Sequence, residues 1–218
     1  MALAQQSRNK SEQAYDAITD MITFGELAPG AMLSESILMR LTGLGRTPVR
    51  EALQRLGRDR IVEIHPSRGV FVAASSVEAQ LKLLELRRTL ECLAVRLASQ
   101  RASSVQSEAM RQLARGLEAS DKCDVRAFSL LLKQDHEIIT ASSNNDYLAV
   151  AMTPLQALSR RFWFAHLDDV EKELAAAAQL HAEILRAVSD GKETVATAAS
   201  LKLNDYLTDF TYRTLPGR

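Results

Sequence analysis

The sequence has little of what chemically active proteins usually announce. Its two cysteines, Cys92 and Cys123, show no metal-type spacing and fit as ordinary helix residues in a reduced setting. No Gly-rich phosphate loop is present. No Ser/His/Asp combination has the spacing of a nucleophile elbow, so nothing supports an enzyme. No apolar run approaches the ~18 residues that a membrane span requires. The stretch from Met1 to Lys10 is polar and lacks the apolar core of a signal peptide, so a cytoplasmic protein with no membrane partner is expected. Internal repeats and low-complexity tracts are missing too. Net charge is also absent, with 27 basic side chains against 27 acidic ones, so no global basicity points to nucleic acid.

What is present is a globular chain of 218 residues, 46% hydrophobic and 25% charged, long enough for two modest domains with a core each. Charge is distributed unevenly. From Arg40 to Arg68 there are seven Lys/Arg (40, 46, 50, 55, 58, 60, 68) against three acids (51, 59, 63). That local excess suffices to steer a phosphate backbone and makes binding strongly salt-dependent.

Ala14, Ile18, Met21 and Ile22 give a helical stripe that stops near Gly25. Gly25 to Gly30 then reads as a turn or short extended link. Ser34 is placed to cap a second short helix, with Ile37, Leu38 and Leu41 inside and Gly43 at its end. After Leu44-Gly45 comes Arg46-Thr47-Pro48-Val49-Arg50-Glu51, opening a helix to about Arg58. Pro48 suits a first turn, where a missing N–H costs nothing. Arg46 and Arg50 stand four apart on one face, outside the inward stripe of Val49, Leu53 and Leu56. Two cations and the Thr47 hydroxyl at a helix N-terminus suit phosphates and guanine edges. Glu51 and Arg55 read as a surface i,i+4 pair. Val62 and Ile64, the turn His65 to Gly69, then Val70 and Val72 predict a β-hairpin with Arg68 and Gly69 at its tip. Three helices and a hairpin, the third helix basic at its start, describe a winged helix-turn-helix.

Ala73 to Val77 reads as a short linker, and everything beyond it as helix. Leu83, Leu86, Leu90, Leu93 and Leu97 form one stripe, Met110, Leu113 and Leu117 another, and Phe128, Leu132, His136 and Ile139 a third. Further helices are expected over about 147–164, 168–188 and 193–210. The predicted fold is mostly α: a winged helix-turn-helix over residues 8–74, then an all-α bundle of six helices over 77–214.

Leu33-Ser34-Glu35, the run from Arg46 to Leu53, and Arg68-Gly69-Val70-Phe71-Val72 resemble the N-terminal domain of GntR-family transcriptional regulators. Leu86 to Glu91, Ala141-Ser142-Ser143-Asn144 and His181 to Val188 resemble the FCD effector-binding domain of the FadR subfamily. The resemblance spans roughly residues 10 to 210. It implies a homodimeric regulator that binds double-stranded operator DNA through Ser34, Glu35, Arg46, Thr47, Pro48, Arg50, Arg68 and Gly69. It also implies a small effector, often a carboxylate, in the bundle. Two departures stand out: Gly45 where relatives carry serine, and Ser36 where many carry a basic residue.

Many FCD domains hold a divalent metal with one aspartate and three histidines. His136 and His181 match two of these, but position 132 is Leu and the third histidine falls at Leu203, or at Asn204 with one residue inserted. Asp135 lies about 100° around the helix from His136, so it is not expected to replace the aspartate. No metal or other cofactor is therefore expected. His136 and His181 are either core histidines, effector contacts or the remnant of a metal site. Arg87 either clamps a carboxylate or pairs with Glu91 on the surface. Asn144 and Arg161 complete the effector-binding candidates. Arg160, Arg161 and His166, around Phe162 to Phe164, line a pocket mouth, end an amphipathic helix or form a subunit contact.

Overall fold

The computed structural model describes residues 10–120 and 124–215; Cys123 lies outside them. The chain forms two compact units. One takes in the chain up to Ser76 together with Arg160–Ala165, and the other Val77–Ser159 and the chain from His166.

In the first unit, α1 (Lys10–Thr23), α2 (Glu35–Thr42) and α3 (Arg46–Arg58) surround a small core of Ala14, Ile18, Ile22, Leu38, Val49, Leu53 and Leu56. Gly43 ends α2 in the left-handed conformation at φ 68°, and its N–H reaches Met39 O at 3.0 Å. That tight link turns the chain directly into α3. Three antiparallel strands, β1 (Met32–Leu33), β2 (Val62–His65) and β3 (Gly69–Val72), lie in the order β1-β3-β2. The expected hairpin is β2–β3, in the register Val62↔Val72 to His65↔Gly69. β1, which lies just past the expected link at Gly25 to Gly30 and outside every expected element, adds through Met32↔Phe71 and Leu33↔Val70. Gly57 lets the hairpin approach α3, since a Cβ there would stand 2.7 Å from Ile64 Cδ1.

Three local expectations are corrected. Of the α2 residues expected inside, only Leu38 is buried; Ile37 and Leu41 are exposed. Ser34 occupies the N-cap of α2 but makes no side-chain cap bond; its hydroxyl is 2.7 Å from that of Ser36. Arg55 pairs with Asp59 at 3.8 Å and covers the Tyr15 ring at 4.1 Å, while Glu51 accepts from Ser11. The Tyr15 phenol donates to Asp59 at 2.8 Å, and burial followed by that carboxylate's charge pushes its pKa up.

The second unit is helical throughout its described residues: α4 (Val77–Arg101), α5 (Ser104–Ala119), α6 (Val125–Ser142), α7 (Asp146–Ala165), α8 (Val170–Ser189) and α9 (Glu193–Arg213). The last turn of α7 falls in the first unit. Side chains start the helices where the sequence supplies them: a capping box of Ser103 with Gln106, Asp124 on Ala127 N–H, and Asp169 on Lys172 N–H. α4 packs on α9, α6 and α8, and α5 on α8 and α6.

The largest departure from expectation is the face that α4 buries. Leu83, Leu90, Leu93 and Leu97 are only half-buried and Leu86 is 51% exposed. The buried side is instead Gln80, Leu84, Arg87, Glu91, Ala94, Val95 and Ala98. The leucine stripe is real, but it lies about 100° around α4 from the buried face and is only partly covered. Three polar residues, two of them charged, point in.

Candidate nucleic-acid interface and buried polar cluster

The N-terminus of α3 stands open. Its N-cap is Gly45, in extended conformation with no side-chain bond to the first turn, so the leading N–H groups carry no protein cap. The Arg46 and Arg50 side chains are 72% and 61% exposed. Between them lies Glu35 of α2, with one carboxylate oxygen 3.3 Å from Arg50 Nε and the other 3.9 Å from Arg46 Nε. One acid thus restrains two cations in a partly exposed triad, an arrangement of small stability value that limits where the two forks point. Thr47 is exposed and Pro48 half-buried beside them. At the hairpin tip Ser67 and Gly69 adopt φ values of 63° and 107°, and Arg68 N–H closes the turn on His65 O at 3.1 Å. That turn presents the Arg68 side chain to solvent.

The second site is the inward side of α4. Arg87, 2% exposed, grips Glu91, 5% exposed, through Nε to Oε2 at 3.0 Å and Nη2 to Oε1 at 3.2 Å. Sequence reading offered an effector clamp or an exposed pair with Glu91. The pair is there, but buried, because this face of α4 looks inward. Arg87 Nη1 donates to Ser159 Oγ at 2.9 Å, and Nη2 lies 3.5 Å from His136 Nε2. Gln80 also donates to Ser159, at 3.1 Å. From α9, Asn204 donates through Nδ2 to Glu91 Oε2 at 3.0 Å. Asn204 is as buried as Leu203, so both alternatives for the third histidine position face inward.

His136 and His181 do meet, with ring centroids 5.5 Å apart. The expectation that Asp135 cannot stand in for the missing aspartate, because it diverges from His136, is corrected. Asp135 and His136 diverge on α6, yet α8 brings His181 into the angle between them. His181 Nδ1 lies 2.5 Å from Asp135 Oδ2. Of the remaining effector candidates, Asn144 is exposed at the α6–α7 turn, with φ 48°, two turns past His136 along α6. Arg161 is buried in the first unit, donating through Nη2 to Ala73 O at 2.6 Å, and burial lowers its pKa. Neither is bonded to the cluster. Gln80, Glu91, Asp135, Ser159 and Asn204 are its members that sequence reading did not assign as site residues. Glu91 had a signal as the i+4 partner of Arg87, and Asn204 as the alternative to Leu203.

The metal-ligand set of one aspartate and three histidines does not fit, because positions 132 and 203 are buried leucines. A different donor set is present. Asp135, His136 and His181 each offer a ligand atom within 4.8 Å of the others, and Asp135 Oδ1 is buried with no hydrogen-bond partner. The Arg87 guanidinium beside His136 opposes a further cation there.

Residues 10–72 match the family described as bacterial regulatory proteins, gntR family, and residues 82–205 match the FCD domain. The Nta operon transcriptional regulator of Aminobacter aminovorans is 30% identical over 174 residues, covering 78% of this chain and 79% of that protein. The transcriptional repressor GlaR of Escherichia coli is 27% identical, covering 72% and 74%. Among solved structures, Escherichia coli McbR/YncC superposes with a TM-score of 0.79 at 20% identity, over 94% of this chain and 98% of that one.

Proposed function

Because the chain belongs to the GntR family of bacterial regulatory proteins and carries an FCD domain, we propose that it is a transcriptional regulator whose operator affinity is set by a small carboxylate bound at the Arg87–His136–His181 cluster. One observation carries this reading: α4 buries Gln80, Arg87 and Glu91 while Leu83, Leu86, Leu90, Leu93 and Leu97 stay partly exposed. Buried charged and polar groups cost free energy unless satisfied, and Asp135 Oδ1 and Asn204 Oδ1 remain without partners. A fold that keeps such groups in its core has a site to fill. The partly exposed leucines, Leu83, Leu86, Leu90, Leu93 and Leu97, form the face on which a second copy would pack, giving a homodimer that reads a two-part operator.

On this reading Arg46 and Arg50 enter the major groove, Ser34, Thr47, Pro48 and the open start of α3 meet phosphate, and Arg68 with Gly69 reaches the adjoining groove or backbone. Effector binding favours one arrangement of the paired winged helices over another, and a full swing needs ~10⁴-fold differential affinity. The test is anisotropy on an operator selected from random duplexes, with and without a panel of carboxylates. Release of the operator by one of them at micromolar to millimolar concentration supports the reading. Indifference to all of them removes its effector half.

Glu35 provides a finer check on the DNA face. Glu35→Ala frees both arginines and removes a negative charge near phosphate. Its operator-to-random-DNA affinity ratio is expected to fall about 3- to 10-fold while random-DNA affinity holds or rises, since positioning and not attraction is lost. An equal fall on both DNAs would assign Glu35 a folding role instead.

The convergence of Asp135, His136 and His181 favours a second reading, a metal-responsive regulator of the same architecture. Those three residues would hold a zinc or manganese ion and leave its other positions to water or effector. The metal-free reading expects EDTA-treated protein to keep its unfolding temperature. A drop of several degrees that zinc or manganese restores would establish the metal reading.

A further inference from the structure

Glu91 occupies the Nε/Nη2 edge of the Arg87 guanidinium, so a carboxylate that takes that edge must displace it. Building on the effector reading above, we propose that Glu91 is a built-in occupant of the carboxylate receptor centred on Arg87, and that an effector carboxylate binds by taking its place.

The geometry of the pair carries this. Glu91 lies on Arg87 through two parallel bonds of 3.0 and 3.2 Å, the fork-on-carboxylate arrangement that a ligand would use. Because the two residues are i and i+4 on one helix, Glu91 leaves by turning about its own side-chain torsions, with no backbone movement. The surroundings also hold an unspent donor. Ser159 Oγ accepts from both Arg87 and Gln80, so its own proton remains to meet a second carboxylate oxygen.

Exchange at this point has a structural consequence. Glu91 Oε2 is the acceptor for Asn204 Nδ2 and so links α4 to α9. The Asn204 side-chain amide keeps only its bond to Ser200 O, at 2.9 Å, once Glu91 turns away, and its Oδ1 already lacks a partner. Ligand exchange thus removes a polar tie between two closely packed helices, one of which carries the partly exposed leucine face. The guanidinium keeps a carboxylate partner throughout, while the displaced Glu91 carboxylate, which loses its own, must reach solvent or take up a proton.

Chemical rescue tests the proposal. Glu91→Ala leaves a carboxylate-sized gap beside Arg87, and sodium acetate is the probe. Acetate should raise the unfolding temperature of Glu91→Ala saturably, by about 5 °C above sodium chloride at equal ionic strength. Wild type and the double variant Arg87→Met/Glu91→Ala should show no such rise. A folded Glu91→Ala protein that ignores acetate, or a double variant that responds equally, overturns the proposal. If Glu91→Ala is recovered unfolded, refolding in acetate against chloride decides: recovery only in acetate supports it, and failure in both overturns it. Operator release from wild type by a carboxylate, without acetate rescue of Glu91→Ala, removes the role of Glu91 and keeps the effector reading. Rescue without release by any carboxylate does the reverse.

Discussion

Replacing Arg46 or Arg50 with alanine is expected to lower operator affinity by roughly 10²- to 10⁴-fold while leaving the fold intact. A good bidentate arginine–guanine pair contributes ~1–3 kcal/mol of discrimination, and a two-fold complex loses it twice. Neither side chain supports the core. Both are well over half exposed, and their one shared protein partner, Glu35, is itself 41% exposed. Circular dichroism and unfolding temperature should therefore match wild type. Binding to random duplex should fall only slightly, with a salt slope about one charge shallower per half-site. Equal losses on operator and random DNA would make these arginines phosphate clamps and not readers.

Replacing Arg87 with methionine is expected to have the largest effect on stability. Removing one partner of a buried ion pair leaves the other charge uncompensated, at about 3–5 kcal/mol. Here the stranded group is the Glu91 carboxylate, left with only the Asn204 amide, while Ser159 loses one of its two donors. The transition of the FCD domain should drop by about 10 °C. The double variant Arg87→Met/Glu91→Met should recover most of that loss, because an apolar pair of similar volume removes the desolvation cost together with the attraction. It should also lose its response to carboxylates. A single variant as stable as wild type would mean that the pair is hydrated in solution and that the inward polar face of α4 is no core site.

Most elements were legible in the sequence. Hydrophobic period, Gly43, Pro48 and the turn at 65–69 each act locally, and each marked an element that is present. β1 was not, because two residues are too few to show alternation. α4 was misjudged more instructively. Its leucine stripe at three-four spacing reads as a core face, and periodicity alone cannot tell a core from an outward apolar face. For Arg87 the sequence left an inward carboxylate clamp and an exposed pair with Glu91 both open, since i,i+4 spacing does not report burial. Asp135 shows the limit of arguing within one helix. The angle between neighbouring residues was right, and it was the position of α8 that brought His181 to both. The matched donors His136 and His181 could be assigned singly from the chain. Their meeting, and the polar chain through Arg87 and Glu91 to Asn204, are products of packing.

Methylation interference across a selected operator tests the central claim most directly, because it reports major-groove contact at individual guanines. The account predicts that N7-methylation of one or two guanines in each half-site blocks binding of the wild-type protein, and that Arg46→Ala or Arg50→Ala makes one of those positions indifferent. Interference confined to adenine N3 in the minor groove, or a guanine pattern unchanged in both variants, would contradict it.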